Sequence, residues 1–462
     1  MASRHTNGTL FQTRILPVPT SELGSFANKE SLRTWELPKD ESSLTNIREA
    51  AEYLKTKSTP VAFPTETVYG LGADATRSEA VLGIYKAKGR PSDNPLIIHI
   101  CDLTMLRTLL VSPSSPSAED VDPIPEVYKP LIKRFWPGPL TILLSNPALS
   151  KLAPEVTAGL KTFGARMPDS SLALSLIHLA GVPIAAPSAN ASTKPSCTTA
   201  EHVFHDLQGK IEIILDGGAC LVGVESTVVD GMCDPPVVLR PGGVSIDDIR
   251  KCEGWERVVK AYKDSSEVGA SAPRAPGMKY KHYSPKAKVV LYENISGPHI
   301  KGRNSWEPFT DQDKIPYLDV DALECRTPTI GVVCTKGWDF GPEATTTAPI
   351  RCKVLRTHLI PSALEATSSS FPIKEFKLTG TADRHLANMI QISLGGETKN
   401  IAHGLFSALR ELDQRGVDII YVEGIEDEGD IAAAVMNRLR KAASVIEKPD
   451  SLLDKQILGE IN

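Results

Sequence analysis

Several familiar signatures are missing from this chain of 462 residues. Neither a Walker phosphate loop nor a Gly-x-Gly-x-x-Gly turn occurs, so the commonest nucleotide-binding turns are excluded. Eight cysteines, at 101, 197, 220, 233, 252, 325, 334 and 352, lie scattered without a single Cys-x-x-Cys. That rules out a zinc-ribbon or disulfide framework and fits reduced thiols in a cytosolic compartment. No run approaches the roughly 18 apolar residues of a membrane span, and no secretory apolar core follows the start. An excess of positive charge is lacking too: 51 Lys and Arg stand against 56 Asp and Glu, a net of -5. A chain-wide nucleic-acid or anionic-membrane binder needs a dominant cationic field, so stable nucleic-acid binding is not expected and only a local basic cleft stays open.

What is present is the composition of an ordinary globular protein, with 41% apolar and 23% charged residues. The length exceeds the roughly 250 to 300 residues at which single cores stop growing, so two domains and a linker are the natural reading. Residues 1 to 21 carry Arg4 and Arg14, several hydroxyls and no acid before Glu22. A disordered tail and a mitochondrial transit peptide account for that composition alike. The expectation is a disordered tail over 1–40 and a cytoplasmic protein, with a mitochondrial pool if the tail acts as a leader.

From Ser43 onward the pattern alternates. Ile47, Ala50, Ala51 and Leu54 predict a helix that Pro60 closes, Val61 to Phe63 a buried strand, and Pro64 to Gly72 the turn after it. Residues 77–88 predict a helix ending in Lys86 and Lys88, with Gly89 at its cap and Pro91 forbidding continuation. Strands are expected at 96–100, 140–144, 162–166, 183–186, 211–215, 226–229 and 237–239, with helices at 128–135 and 172–180. Strand alternating with helix is the signature of an α/β domain, here placed at 41–261. The Ser- and Pro-rich stretch 112–125 reads as a surface excursion. Residues 262–288 hold Pro, Gly, Ala and basic residues with no periodicity and read as an extended linker, unusual for carrying Tyr280, His282 and Tyr283. A second α/β domain follows over 289–448, with strands at 289–292, 329–334 and 417–422 and helices through 401–412 and 431–443. It lacks turn glycines of the phosphate-cradling kind.

The chemistry gathers at strand ends of the first domain. Thr65, Thr67 and Tyr69, then Lys88, Arg90 and Asn94, Arg166, Ser188 and Asn190, Ser226 and Thr227, and Arg240 all follow or close expected strands and helices. Each has a plainer reading. The Lys88 to Pro91 run is a helix stop, Ser188 and Asn190 can cap a helix, Thr65 and Thr67 can serve loop backbone, and Arg166 can pair with Asp169. His202 and His205 lack a third metal ligand at suitable spacing. Taken together the set says more, because ligands of open α/β sheets collect beyond strand ends, and cations with hydroxyls and amides suit a polyphosphate beside a small polar substrate.

Seven motifs now stand in order: Phe63-Pro-Thr-Glu-Thr-Val-Tyr-Gly-Leu-Gly72, Lys88-x-Arg90, Trp136-Pro-Gly-Pro-Leu-Thr141, Arg166-Met-Pro168, Ala186-Pro-Ser-Ala-Asn190, Gly223-Val-Glu-Ser-Thr-Val-Val229 and Leu239-Arg-Pro-Gly242. This series resembles the YrdC/Sua5 family. With Lys279-Tyr-Lys-His-Tyr-Ser-Pro285 and the domain after it, the chain resembles the two-domain Sua5 type of eukaryotes, and of fungi in particular, over residues 43 to about 445. The resemblance implies a YrdC-like twisted α/β sheet with a basic cavity, a linker lying over it, and a smaller Rossmann-like domain. It also implies a nucleotidyltransferase that joins L-threonine, bicarbonate and ATP into threonylcarbamoyl-adenylate and pyrophosphate, for the t6A base of tRNAs reading codons that start with A. The labile product passes to the t6A-transfer machinery.

By the same resemblance, Thr67, His99, Arg166, the Ala186 backbone and Ser226 fall on threonine-binding positions. Arg90, Asn94, Thr162, Ser188, Ser196 and Arg240 fall on ATP-binding positions, joined by His282 or Tyr283 from the linker. Lys88, Arg90, Ser188 and Asn190 form the catalytic set. Magnesium is expected to arrive on the ATP phosphates without protein ligands, and no tightly bound organic cofactor is expected. Two other readings stay open at this point: an RNA-binding module of the same fold, and a carbamoyl or adenylyl transferase using a different amino acid.

Overall fold

A computed structural model describes residues 11–111, 121–261, 282–293, 315, 317–318, 326–338, 351–359, 371–379, 385–427, 429 and 431–448. The chain divides into two compact units, the first built on residues up to Tyr262 apart from Thr193–Pro195, the second on residues from Tyr280 onward together with that short segment. Most of the expected linker lies outside the described residues. Its last part does not behave as a spacer: Tyr283 is buried in the second unit and Lys288 opens that unit's first strand.

The first unit is organised by an eleven-stranded mixed sheet. Across it the order runs Arg14–Pro17, Ile213–Asp216, Val61–Pro64, Tyr69–Asp74, Ile184–Ala185, Ile97–His99, Thr162–Arg166, Leu140–Ser145, Thr227–Asp230, Val237–Arg240 and Val259–Lys260. Helices Thr45–Thr56 and Ser171–Ala180 pack together against it, the first burying Ile47, Ala50, Ala51 and Leu54, the stripe expected from their spacing. Burying each of those larger side chains contributes roughly 1.5 to 3 kcal/mol. Helix Ser78–Lys88 ends as the sequence requires, on Gly89 in the left-handed conformation at φ +64°.

Two expectations are corrected. Residues 1–40 do not form a disordered tail throughout. Arg14–Pro17 pairs in parallel with Ile213–Asp216, Leu23 and Trp35 are buried, and the Trp35 ring N–H donates to Ser175 Oγ at 2.9 Å. A short edge strand draws on backbone hydrogen bonds and leaves most side chains in water, so its polar composition disguised it. Residues 1–10 lie outside the described residues.

Pro64 to Gly72 is likewise not one turn. Tyr69–Asp74 is a buried strand antiparallel to Val61–Pro64, and only the residues between them turn. The glycines there make room for packing: a Cβ on Gly72 would come within 2.6 Å of Phe63 and 2.7 Å of Ile184.

The second unit has a seven-stranded sheet in the order Arg351–Leu359, Pro372–Thr379, His385–Ser393, Thr329–Cys334, Ile419–Glu423, Lys288–Tyr292 and Val445–Glu447. The last five strands are parallel and the first two run antiparallel at one edge. Helices Thr398–Gln414 and Ala432–Ala442 pack on one another and on the sheet. Among the described residues no helix is long and apolar enough to cross a membrane.

Candidate active site

The first unit's site is assembled around Arg166, the last residue of its strand and buried to 4% exposure. Its Nε donates to Gly138 O at 3.2 Å, Nη1 donates to Thr67 Oγ1 at 2.9 Å, and Nη2 lies 2.5 Å from Glu66 Oε1. The hairpin turn supplies Thr67 in a fixed pose, because Thr65 Oγ1 donates to Val68 O at 2.7 Å and meets Thr67 Oγ1 at 2.8 Å. From the neighbouring parallel strand, His99 stands in register with Arg166. Burial, reinforced by the Arg166 charge, pushes the His99 imidazole down to about 3, so the ring is neutral in the physiological range. The Ala186 N–H donates to Ile97 O at 3.0 Å, which brings the turn after Ile184–Ala185 against the His99 strand.

A second cluster forms where helix Ser78–Lys88 ends. Lys88 is buried, and its Nζ donates to Ser188 O and, at 2.5 Å, to Asn190 O. Ser188 Oγ donates to Asn190 Oδ1 at 2.5 Å. Past the left-handed glycine, Arg90 Nη2 reaches back to Pro95 O at 3.1 Å and Asn94 O at 3.4 Å. The helix stop and the cationic cluster are therefore one device, since ending the helix at Gly89 is what directs these two cations.

The third cluster lies at the strands Thr227–Asp230 and Val237–Arg240. Arg240 Nη2 donates to Ser226 O at 2.8 Å and to Ser226 Oγ at 3.1 Å, while Ser226 Oγ shares a hydrogen bond with Thr141 Oγ1 at 2.8 Å. Ser196 Oγ donates to Glu225 Oε1 at 2.6 Å. Gly242 must be glycine for this corner to close: a Cβ there would come within 2.2 Å of Thr227 N and 2.3 Å of Glu225 O.

Side chains of this kind, buried and polar yet gathered at strand ends, cost free energy unless ligands or partners meet them. The arrangement can hold two anionic groups, one by Arg166 and one by the cations at Lys88, Arg90 and Arg240.

Similarity to known proteins agrees with the geometry. Residues 54–242 match the family model described as "Telomere recombination", and residues 244–444 match "Threonylcarbamoyl-AMP synthase, C-terminal domain". The chain is 45% identical to a threonylcarbamoyl-AMP synthase of Schizosaccharomyces pombe over 415 residues, covering 87% of this chain and 88% of that protein. It is 41% identical to a threonylcarbamoyl-AMP synthase of Pyrococcus abyssi over 398 residues, covering 86% of this chain and 94% of that protein. The chain belongs to the two-domain Sua5 family of threonylcarbamoyl-AMP synthases. The crystal structure of P. abyssi Sua5 complexed with L-threonine superposes with a TM-score of 0.67 at 37% identity, covering 94% of this chain and 99% of that one. It extends the family's α/β architecture over both units.

Within this Sua5 fold the positions expected from the sequence divide into three groups. Thr67, Arg166 and His99 converge, as do Lys88, Ser188 and Asn190, and Ser226 with Arg240. Thr162 opens the strand that Arg166 closes, which sets them about 13 Å apart at roughly 3.3 Å per residue. Tyr283, expected with His282 to contact the nucleotide, packs in the second unit. Its ring is 1% exposed, stacked on Phe406 with centroids 5.2 Å apart, and Arg438 lies 5.9 Å from it. His282 stands beside it and is partly exposed. His202 and His205 are engaged locally, with Thr198 and Asp206 respectively.

Sequence reasoning missed Glu66, Glu225 and Thr141 as members of the site. Glu66 was visible within the first motif, and an acid inside a turn otherwise suited to anions is the signal that could have found it.

Proposed function

We propose that the first unit condenses L-threonine, bicarbonate and ATP into threonylcarbamoyl-adenylate and pyrophosphate, with Arg166 as the amino-acid clamp and the Lys88 cluster as the phosphate side. The observation that carries this reading is the buried Arg166 fork held by Gly138 O and Thr67 Oγ1. A guanidinium fixed in this way is preorganised for a planar carboxylate. Thr67, His99, Ala186 and Ser226 complete the threonine side. Arg90, Asn94, Thr162, Ser188, Ser196, Arg240 and His282 serve ATP.

In the reaction, the threonine ammonium first gives up a proton to solvent; the free amine then forms a bond to the carbon of bicarbonate as the C–OH bond breaks, and water is lost. A carbamate oxygen then attacks the α-phosphorus, and the bond to the β-phosphate breaks to release pyrophosphate. Negative charge builds on the phosphoryl oxygens, so positioning and cations supply most of the rate. Lys88 does both, since its ammonium fixes the Ser188 and Asn190 carbonyls while adding charge at the phosphate side. Neutral His99 can hydrogen-bond a substrate hydroxyl without placing a second cation beside Arg166.

Magnesium fits this site as a passenger on the phosphates. On the ATP side Glu225, hydrogen-bonded to Ser196, is the acid that would meet such an ion, and most of its other partners would be phosphate and water oxygens. When bound, the ion neutralises phosphate charge. The protein is proposed to act in the cytoplasm and to pass its product to the machinery that completes t6A.

Pyrophosphate release tests the reading directly. Release from ATP should require both L-threonine and bicarbonate. Release supported by another amino acid would point to a different transferase, and no release together with tight RNA binding would point to an RNA-binding module.

A further inference from the structure

Glu66 sits between two threonines in the hairpin turn and is 7% exposed. Its backbone is fixed from the far side of the site, for Glu66 O accepts from Val222 N at 2.8 Å and Thr67 O accepts from Gly223 N at 3.0 Å. One carboxylate oxygen, Oε1, is 2.5 Å from Arg166 Nη2. Both carboxylate oxygens are buried and neither has a hydrogen-bond partner among the described residues, so Oε1 is held only by that ion-pair contact and Oε2 is left for a donor from outside the protein. A carboxylate oxygen stripped of water and given no donor is costly, and folds retain such a group where a ligand or a function compensates.

A positioning role on Arg166 alone would use one oxygen. It would leave Oε2 unexplained. What the turn presents is a fixed pair of opposite charges: a guanidinium, and beside it a carboxylate with one oxygen to spare. An α-amino acid at neutral pH carries the complementary pair, with its carboxylate and ammonium on a single carbon. Sulfate, nucleotides and simple carboxylic acids would satisfy only the arginine.

We propose that Glu66, through Oε2, accepts hydrogen bonds from the α-ammonium of the substrate whose carboxylate rests on Arg166. The assignment rests on Arg166 being the amino-acid clamp. Glu66 then makes the site selective for a free α-amine, and it aims the nitrogen that must later bond to bicarbonate.

The test compares L-threonine with 3-hydroxybutyrate, which keeps the carboxylate, hydroxyl and methyl but lacks the amine. Calorimetric titration of the full chain would measure both ligands, and ATP, on wild type and on Glu66→Gln. Losing a charge-assisted hydrogen bond should weaken L-threonine at least about tenfold. Binding of 3-hydroxybutyrate and ATP should be unchanged or tighter. An equal loss for both acids would overturn the proposal, because Glu66 would then act only by positioning Arg166. Unchanged threonine affinity would also overturn it. Should Glu66→Gln fail to fold, Glu66→Asp keeps the charge and withdraws it by one carbon, with the same split between the two ligands expected. Arg166→Lys separates the underlying reading: if threonine affinity survives that change, the clamp itself is wrong, whatever Glu66 does.

Discussion

Both units are α/β and both place charged groups at the ends of their strands, yet they treat those groups in opposite ways. In the second unit two such charges, Glu423 and Arg440, are settled internally. The Glu423 carboxylate, closing its strand, accepts the backbone N–H groups of Thr335 and Gly337 at 2.6 Å and that of Trp338 at 3.1 Å. Backbone amides converging at a parallel strand's end are how many folds cradle phosphate. Here the chain's own acid occupies the cradle. Arg440 is satisfied in the same way, by Glu293 at 2.7 Å and Asp427 at 2.6 Å. In the first unit, Arg166 meets neutral oxygens and one acid, Glu66, whose buried carboxylate makes no hydrogen bond among the described residues. Inward satisfaction makes a scaffold, and incomplete satisfaction makes a site.

The contrast can be broken most forcefully at its centre. Arg166→Ala removes the clamp and leaves Glu66 as an unpaired buried acid, so threonine-dependent pyrophosphate release should fall by more than about 100-fold, and stability by about 3 to 5 kcal/mol in denaturant titration. Full activity in that variant would refute the role given to the arginine. Lys88→Ala should lower adenylate formation by about 10 to 150-fold, read as pyrophosphate release at saturating threonine. A near-normal rate would remove Lys88 from the mechanism.

Glu423→Gln sharpens the other side of the comparison. It weakens the acceptor of three N–H groups in the second unit, and unfolding free energy should drop by roughly 1 to 3 kcal/mol. Pyrophosphate release per folded molecule should stay at the wild-type level, since the residue is scaffold. Loss of turnover without loss of stability would contradict that.

The mildest effect concerns acid. His99 has a depressed folded value of about 3 against an ordinary 6.5. Protons therefore bind the unfolded chain first, and its contribution to stability, complete above about 6.5, should be lost progressively as pH falls toward 3. Melting curves of wild type and His99→Gln across that window should converge as the pH is lowered. Parallel curves would mean that the imidazole titrates normally.

How far the molecule could be read from its sequence varied with the physics of each part. Strands covered on both faces, such as Leu140–Ser145 and Ile419–Glu423, announce themselves as apolar runs. Helices with one buried stripe do the same by period. The strand Pro372–Thr379 was hidden because Lys374, Glu375 and Lys377 interrupt its buried Ile373, Phe376 and Leu378, and a bulge in its neighbour shifts the alternation. Helix Ala200–Leu207 was obscured by its two histidines and two acids. In the site, cations and hydroxyls at strand ends were legible by residue type. What Glu66 contributes was not, because its meaning depends on which atom of Arg166 it meets and which of its own oxygens is left over. The burial of Tyr283 was hidden for the same reason, being decided by Phe406, far away in the chain.

The bonds that build the site also span the sequence. Lys88 reaches the Ser188 carbonyl across 100 positions, Arg166 reaches Thr67 across 99, and Ser226 reaches Thr141 across 85. Contacts of such long range form late, after the loops between them have closed. A nascent chain would therefore bind neither substrate until Arg240 had left the ribosome and the sheet had closed around it. The site is thus a property of the closed sheet and of no single stretch within it.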